Sequence, residues 1–118
     1  MEKMIAWVEI PTIDFERAVS FYEKLLGTDL TSEVYGTEKM ACLPSGEGAI
    51  INAPGFEPSN QGVVVSLNVG DNLDEVLSRL ELNGGEIIKP KTKIEASGRD
   101  CFALFLDTEG NRLGLYGN

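Results

Sequence analysis

The chain has 118 residues and a mass of 12.8 kDa, with 42% apolar and 25% charged residues; this suits one compact domain with a real core and excludes a disordered chain or a disulfide miniprotein. Ten basic against nineteen acidic residues give a net charge of −9, which repels phosphate backbones and anionic membrane surfaces, so neither nucleic acid nor membrane is an expected partner. Histidine is absent, which removes the Ser-His-Asp triad, the Cys-His pair and every imidazole metal ligand, leaving Asp, Glu, Lys, Tyr or Cys for any proton transfer.

The first element in chain order is a strand over Met4 to Ile10, where Ala6, Val8 and Ile10 alternate with Trp7 and Glu9 and Pro11 closes the run. Asp14 is placed to cap a helix whose apolar stripe is Phe15, Ala18, Val19, Tyr22, Leu25 and Leu26, with Gly27 as its left-handed stop. Strands are expected near Leu30–Tyr35, Lys39–Leu43 and Ala49–Ala53. Between the last two, Ser45-Gly46-Glu47-Gly48 reads as a hairpin turn, because the Lys and following helix of a phosphate loop are missing. Residues 54 to 62, rich in Pro, Gly, Asn and Ser, form a connection.

The pattern then returns. Val63–Val69 is a strand, and Asn72 with Glu75 suggests a capping box. Leu73, Val76, Leu77 and Leu80 form a second stripe, which Asn83-Gly84-Gly85 ends. Strands follow at Glu86–Ile88, Cys101–Leu106 and Arg112–Tyr116, with Asp107–Asn111 as the last turn. Lys89-Pro90-Lys91-Thr92-Lys93, the basic cluster, reads as a solvated loop or the rim of a site for an acidic ligand. Cys42 and Cys101 form no CxxC and are expected to be reduced apolar fillers. The N-terminus reaches Glu9 before any long apolar stretch, and no run approaches ~18 apolar residues, so a cytoplasmic protein is expected.

The order is therefore βαβββ twice, an α+β class in which module one spans about 1–57 and module two about 58–118 of a single domain. Overlaying the copies puts Trp7 on Val64, Ile10 on Leu67, Asp14 on Asp71 and Asn52 on Gly114. Val63, Val65, Leu67 and Val69 should face a helix, as should Leu113 and Leu115. The opposite faces would then carry Trp7, Glu9, Ile50, Asn52, Val64, Ser66, Asn68, Arg112, Gly114 and Tyr116. Such a mixture suits a concave binding surface, or a face that is solvated or covered by a partner subunit.

Two stretches carry a family resemblance: Trp7-Val8-Glu9-Ile10-Pro11-Thr12-Ile13-Asp14-Phe15-Glu16-Arg17-Ala18 with Phe21-Tyr22, and Phe105-Leu106-Asp107-Thr108-Glu109-Gly110-Asn111-Arg112-Leu113. With the doubled βαβββ order, they resemble the vicinal oxygen chelate superfamily, the glyoxalase/bleomycin resistance protein/dioxygenase family; Thr108 stands where that family usually has Pro. The resemblance implies two modules side by side, sheets curled into a half-open cup that holds the site, helices outside, and a homodimer. It also implies four metal-ligand positions, which fall on Trp7, on or near Asn52, on Val64 and on Gly114. Indole, isopropyl and a bare α-carbon donate nothing to a metal, and Asn52 offers one neutral oxygen.

The expected protein is thus the metal-free type, with no metal and no cofactor, binding a small molecule through Trp7, Glu9, Asn52, Val64, Ser66, Asn68, Gly114 and Tyr116. The metal-free branch of the family includes proteins that sequester an antibiotic. Trp7 would either stack a ligand or fill the space of the missing metal, and Glu9 would anchor an amine or hydroxyl or be solvated. No catalytic residue is identified. The alternatives are a metal-dependent lyase, isomerase or dioxygenase with a site rebuilt from Glu9, Asn52 and Tyr116, and a protein-interaction module that buries the same face.

Overall fold

The computed structural model describes residues 4–118. Its elements are β1 (Val8–Pro11), α1 (Phe15–Leu26), β2 (Ser32–Tyr35), β3 (Glu38–Cys42), β4 (Gly48–Asn52), β5 (Ser66–Gly70), α2 (Leu73–Leu82), β6 (Glu86–Lys93), β7 (Cys101–Leu106) and β8 (Arg112–Gly117). The doubled βαβββ order and the α+β class are as the sequence predicts. Each repeat builds its own four-stranded mixed sheet, β1-β4-β3-β2 and β5-β8-β7-β6, with one parallel pair in each, β1 with β4 and β5 with β8. Strands β1 and β5 are sheet edges, and Val8 at the start of β1 and Val65 just before β5 line the same two clefts. No described helix is long and apolar enough to cross a membrane.

Both helices cover one face of the sheets and share one core. Helix α1 contributes Phe15, Ala18, Phe21, Tyr22 and Leu25, and α2 contributes Leu73, Val76 and Leu80. Phe21 packs edge-on to Tyr22 at 5.0 Å and lies 6.4 Å from Phe105 of β7. Asp14 caps α1 as its position predicts, accepting the Arg17 amide at 3.1 Å, and Gly27 ends the helix in the left-handed region. Asn72 makes no such bond, so the expected capping box is absent; Glu75 pairs with Arg79 instead. With φ near −109° and ψ near 22°, Asn72 departs from the extended backbone usual at a helix cap.

Several expectations need correction. The first strand begins at Val8, and Met4, Ile5, Ala6 and Trp7 precede it, exposed and outside the ladder. The second copy likewise begins at Ser66, leaving Val63 89% exposed rather than against a helix. Alternation fixes which way a paired strand faces, but pairing needs a neighbour: β4 starts at Gly48, opposite Val8, and β8 starts at Arg112, so Val63 has no strand residue beside it. The Lys89–Lys93 stretch is part of β6, not a loop. Thr92 and Lys93 pair with Phe102 and Cys101, and the irregularity between Lys89 and Thr92 accommodates Pro90, which has no amide proton to give a ladder. Cys101 is a buried filler as expected, whereas Cys42 is exposed.

A polar clasp joins the repeats at the turn between β7 and β8. Asp107 accepts the buried Tyr22 hydroxyl at 2.7 Å and the amides of Glu109 and Asn111 at 2.8 and 2.9 Å. Asn111 donates to the Pro11 carbonyl at the end of β1 (2.8 Å) and accepts the Ser59 amide from the connection (3.1 Å). The Glu109 side chain, fully buried, accepts the amides of Ile13 and Asp14 at 2.8 and 2.7 Å and pairs with Arg17 at 2.8 Å. Burial pushes the Glu109 carboxyl up, but Arg17, the Asp14 amide, the Thr108 hydroxyl and the Ile13 amide outweigh it and hold it down at about 2. Burial, and then the neighbouring Asp107, raise Tyr22 well above the ordinary phenol range. The Asp-Thr-Glu-Gly-Asn stretch is thus a brace that fixes how β1 and α1 sit against β8.

Candidate functional site

The open faces of the two sheets follow from register. Ile10, Ala41 and Ile50 are core residues and lie opposite one another in the β1-β4-β3 ladder, so they mark the helix-covered face. The other face of that sheet carries Glu9, Met40, Cys42, Ala49 and Ile51. In the second sheet Phe105, Leu113 and Leu115 mark the covered face. Ser66 sits beside Gly114 and Asn68 beside Tyr116 on the open one, where β7 adds Leu104 and Phe102 opposite the same two β8 residues.

Four of the eight proposed site residues therefore come together: Ser66, Asn68, Gly114 and Tyr116. Glu9 lies on the open face of the first sheet, while Trp7 (42% exposed) and Val64 (38%) lie just before β1 and β5. Asn52 and Ile50 do not join them. Both fall on the helix-covered face, where Ile50 is core and the Asn52 amide donates to the Thr12 carbonyl and hydroxyl, each at 3.2 Å. The reason is register. Glu9 and Ser66 are equivalent in the overlay of Trp7 on Val64, and their β4 and β8 neighbours are Ala49 and Gly114. The counterpart of Gly114 is thus Ala49, three residues before Asn52, and an odd offset in a strand reverses the face.

This geometry bears on a metal. The positions to test are Trp7, Ala49, Val64 and Gly114, whose side chains hold no oxygen, carboxylate or imidazole donor. A Cβ built on Gly114 would lie 2.4 Å from the Ser66 Oγ, so the serine side chain already fills the space that a ligating side chain would enter. Among the described residues no three of Cys, Asp and Glu converge as a metal site. Glu9, Asn52 and Tyr116, the set for a rebuilt centre, are split between the two faces of the sheets. The residues present do not fit a metal centre of this type.

Two clefts open along the seam between β1 and β5. The larger, about 480 Å³, lies between Val8, Leu26, the Leu43–Glu47 turn and the edge of β5 from Val65 to Asn68. Its size is that of a small-molecule pocket, and Ser66 and Asn68 face it from a mainly apolar surround. Asn68 accepts the Gly70 amide at 3.1 Å, and the Tyr116 hydroxyl accepts the Asp100 amide at 3.4 Å. The sequence reading missed Phe102, Leu104 and Leu106. The signal was available: β7 reads Cys-Phe-Ala-Leu-Phe-Leu, apolar at every position, whereas a strand with one solvated face alternates. Lys89 extends over the Phe102 ring, 5.9 Å from its centroid.

The model of the Glyoxalase/Bleomycin resistance protein/Dioxygenase superfamily matches residues 4–115. Among solved structures, the chain is similar to a glyoxalase/bleomycin resistance protein from Albidiferax ferrireducens T118, with a TM-score of 0.74, 17% identity and coverage of 98% of this chain and 99% of that one. A glyoxalase/bleomycin resistance protein/dioxygenase family enzyme from Burkholderia phytofirmans PsJN gives 0.73, 16%, 96% and 97% on the same measures. A genomically encoded fosfomycin resistance protein, FosX, from Listeria monocytogenes gives 0.70, 17%, 100% and 95%. At these identities the likeness is one of fold. No curated protein matches the sequence.

Proposed function

The chain belongs to the Glyoxalase/Bleomycin resistance protein/Dioxygenase superfamily, and from that membership we propose that it is a metal-independent binding protein for a small molecule, an antibiotic or a metabolite, which it sequesters without turnover. The observation that carries this reading is the pairing of Ser66 with Gly114: the hydroxyl occupies the space into which a metal ligand would project, and the remaining positions offer only indole, methyl and isopropyl groups. Asn52 leaves the set. Ser66, Asn68 and Tyr116 then supply polar contacts, while Phe102 and Leu104 supply apolar area on the same face. Trp7, Glu9 and Val64 flank this surface, and a second copy of the chain encloses it as a homodimer. The surplus of acidic residues draws cationic ligands at long range.

Metal analysis and thermal unfolding of protein purified without chelators test the proposal together. Metal far below one equivalent per chain is expected, with a midpoint that EDTA leaves unchanged. One tightly held transition metal per chain, whose removal lowers the midpoint, would overturn metal independence. A thermal-shift screen of antibiotics and common metabolites then tests binding. A true ligand at 100 times its Kd stabilises by about 2.7 kcal/mol, and a screen in which no compound moves the midpoint argues against it.

A further inference from the structure

The smaller cleft of the seam, about 170 Å³, lies between β1, the connection and the start of β8. Three charged side chains line it: Glu9 from β1, Glu57 from the connection and Arg112 from β8. They do not pair with one another. Neither carboxylate has a hydrogen bond or ion pair with the described residues. The guanidinium is held from one side, its Nη2 donating to the Gly62 carbonyl at 3.0 Å, and its Nε is the one buried side-chain polar atom among the described residues that lacks a partner. A buried donor without an acceptor is costly, and a bound group that supplies the acceptor recovers that cost. Val8, Val63 and Val65 give the same cleft an apolar wall.

We propose that this cleft binds a small aliphatic α-amino acid, with its carboxylate on Arg112, its ammonium between Glu9 and Glu57, and its side chain against the apolar wall. The charge complement is that of a zwitterion: one donor-rich cation and two acceptor-only anions line a space of roughly five or six water volumes. Drug-sized ligands need about 300 Å³ or more, so this cleft excludes what the larger one admits. The inference does not rest on the metal-independent reading of the open sheet face: it shares only Glu9 with the residues flanking that surface, and Glu57 and Arg112 lie outside it.

Calorimetric titration of the full chain with L-leucine, 3-methylbutylamine and 4-methylpentanoate tests it, with the Arg112 Nε–H resonance followed by NMR. Leucine is expected to bind at least about tenfold more tightly than either half-molecule and to shift that resonance. Glu57→Gln, at an exposed and unpartnered position, should weaken leucine about tenfold and leave 4-methylpentanoate unchanged; Arg112→Gln should weaken both of these and spare the amine. Absence of leucine binding, with the Nε–H resonance unmoved, would overturn the proposal in favour of a cleft that holds only water. Leucine binding indifferent to Glu57→Gln and Arg112→Gln would overturn the assignment to this cleft. Neither result would touch the larger cleft, which Asn68→Ala probes separately.

Discussion

The two repeats trace the same path with different means of support. In the first, α1 is capped at both ends and buries five side chains, and β4 is buried along nearly its whole length. In the second, α2 buries three, no side chain caps its start, and β5 alternates between exposed and half-buried residues. The second repeat instead projects the Asp107–Asn111 turn, whose buried polar groups reach back to α1, β1 and the connection. The comparison teaches that a duplicated topology does not require duplicated energetics. One copy is held by its own local signals, and the other also supplies the brace between the halves.

The largest test of that contrast is Glu109→Ala. It leaves the amides of Ile13 and Asp14 and the Arg17 guanidinium without their acceptor, and denaturant unfolding should show a loss of about 3 kcal/mol. Glu75→Ala breaks only the exposed pair with Arg79 and should cost no more than about 0.5 kcal/mol. Equal losses would remove the asymmetry.

Acid titration sharpens the same point. The folded-state pKa of Glu109 lies near 2, below its ordinary value of 4.5. Its contribution is therefore complete above about pH 5 and is lost as pH falls through the folded value. At most about 3 kcal/mol of stability should disappear between pH 5 and 2. The Glu109→Ala variant should show a shallower dependence over that window. An unchanged slope would mean that other carboxylates govern acid unfolding.

Next comes the pair of equivalent positions, Ala49 and Gly114. Gly114→Ala should cost about 1 kcal/mol, because the exposed Ser66 hydroxyl must turn away from the new Cβ, and combining it with Ser66→Ala should recover most of that loss. If the double variant is no better than the single one, the serine is not what closes that space. The smallest effect is at a cap. Asp14→Ala should cost about 1 kcal/mol, whereas Asn72→Ala should cost a few tenths at most, since Asn72 makes no cap bond.

Much of the fold was legible because its signals are local. The Asp14 cap, the Gly27 stop, the two apolar stripes and the turn at Asp107–Asn111 each lie within a few residues of what they control. The site was less legible because it depends on pairing between distant segments. Asn52 illustrates this: it has a ligand-like side chain and stands close to the expected position, yet it lies on the covered face, because β4 is registered against β1 through Glu9 and Ala49. Arg112 and Glu57 are unremarkable in sequence, and only the fold brings them to one cleft.

Composition and periodicity alone determined the order βαβββ twice, the lack of histidine chemistry and the acidic surface, because these depend on residue type and short-range spacing. Tertiary structure decided that β4 turns Ala49 and not Asn52 to the open face, that Ser66 fills the space beside Gly114, and that the Asp-Thr-Glu-Gly-Asn turn is a buried brace. The physical reason is common to all three. Strand register and the pairing of buried polar groups are fixed by partners some forty to a hundred residues away, and short-range patterns carry no record of them.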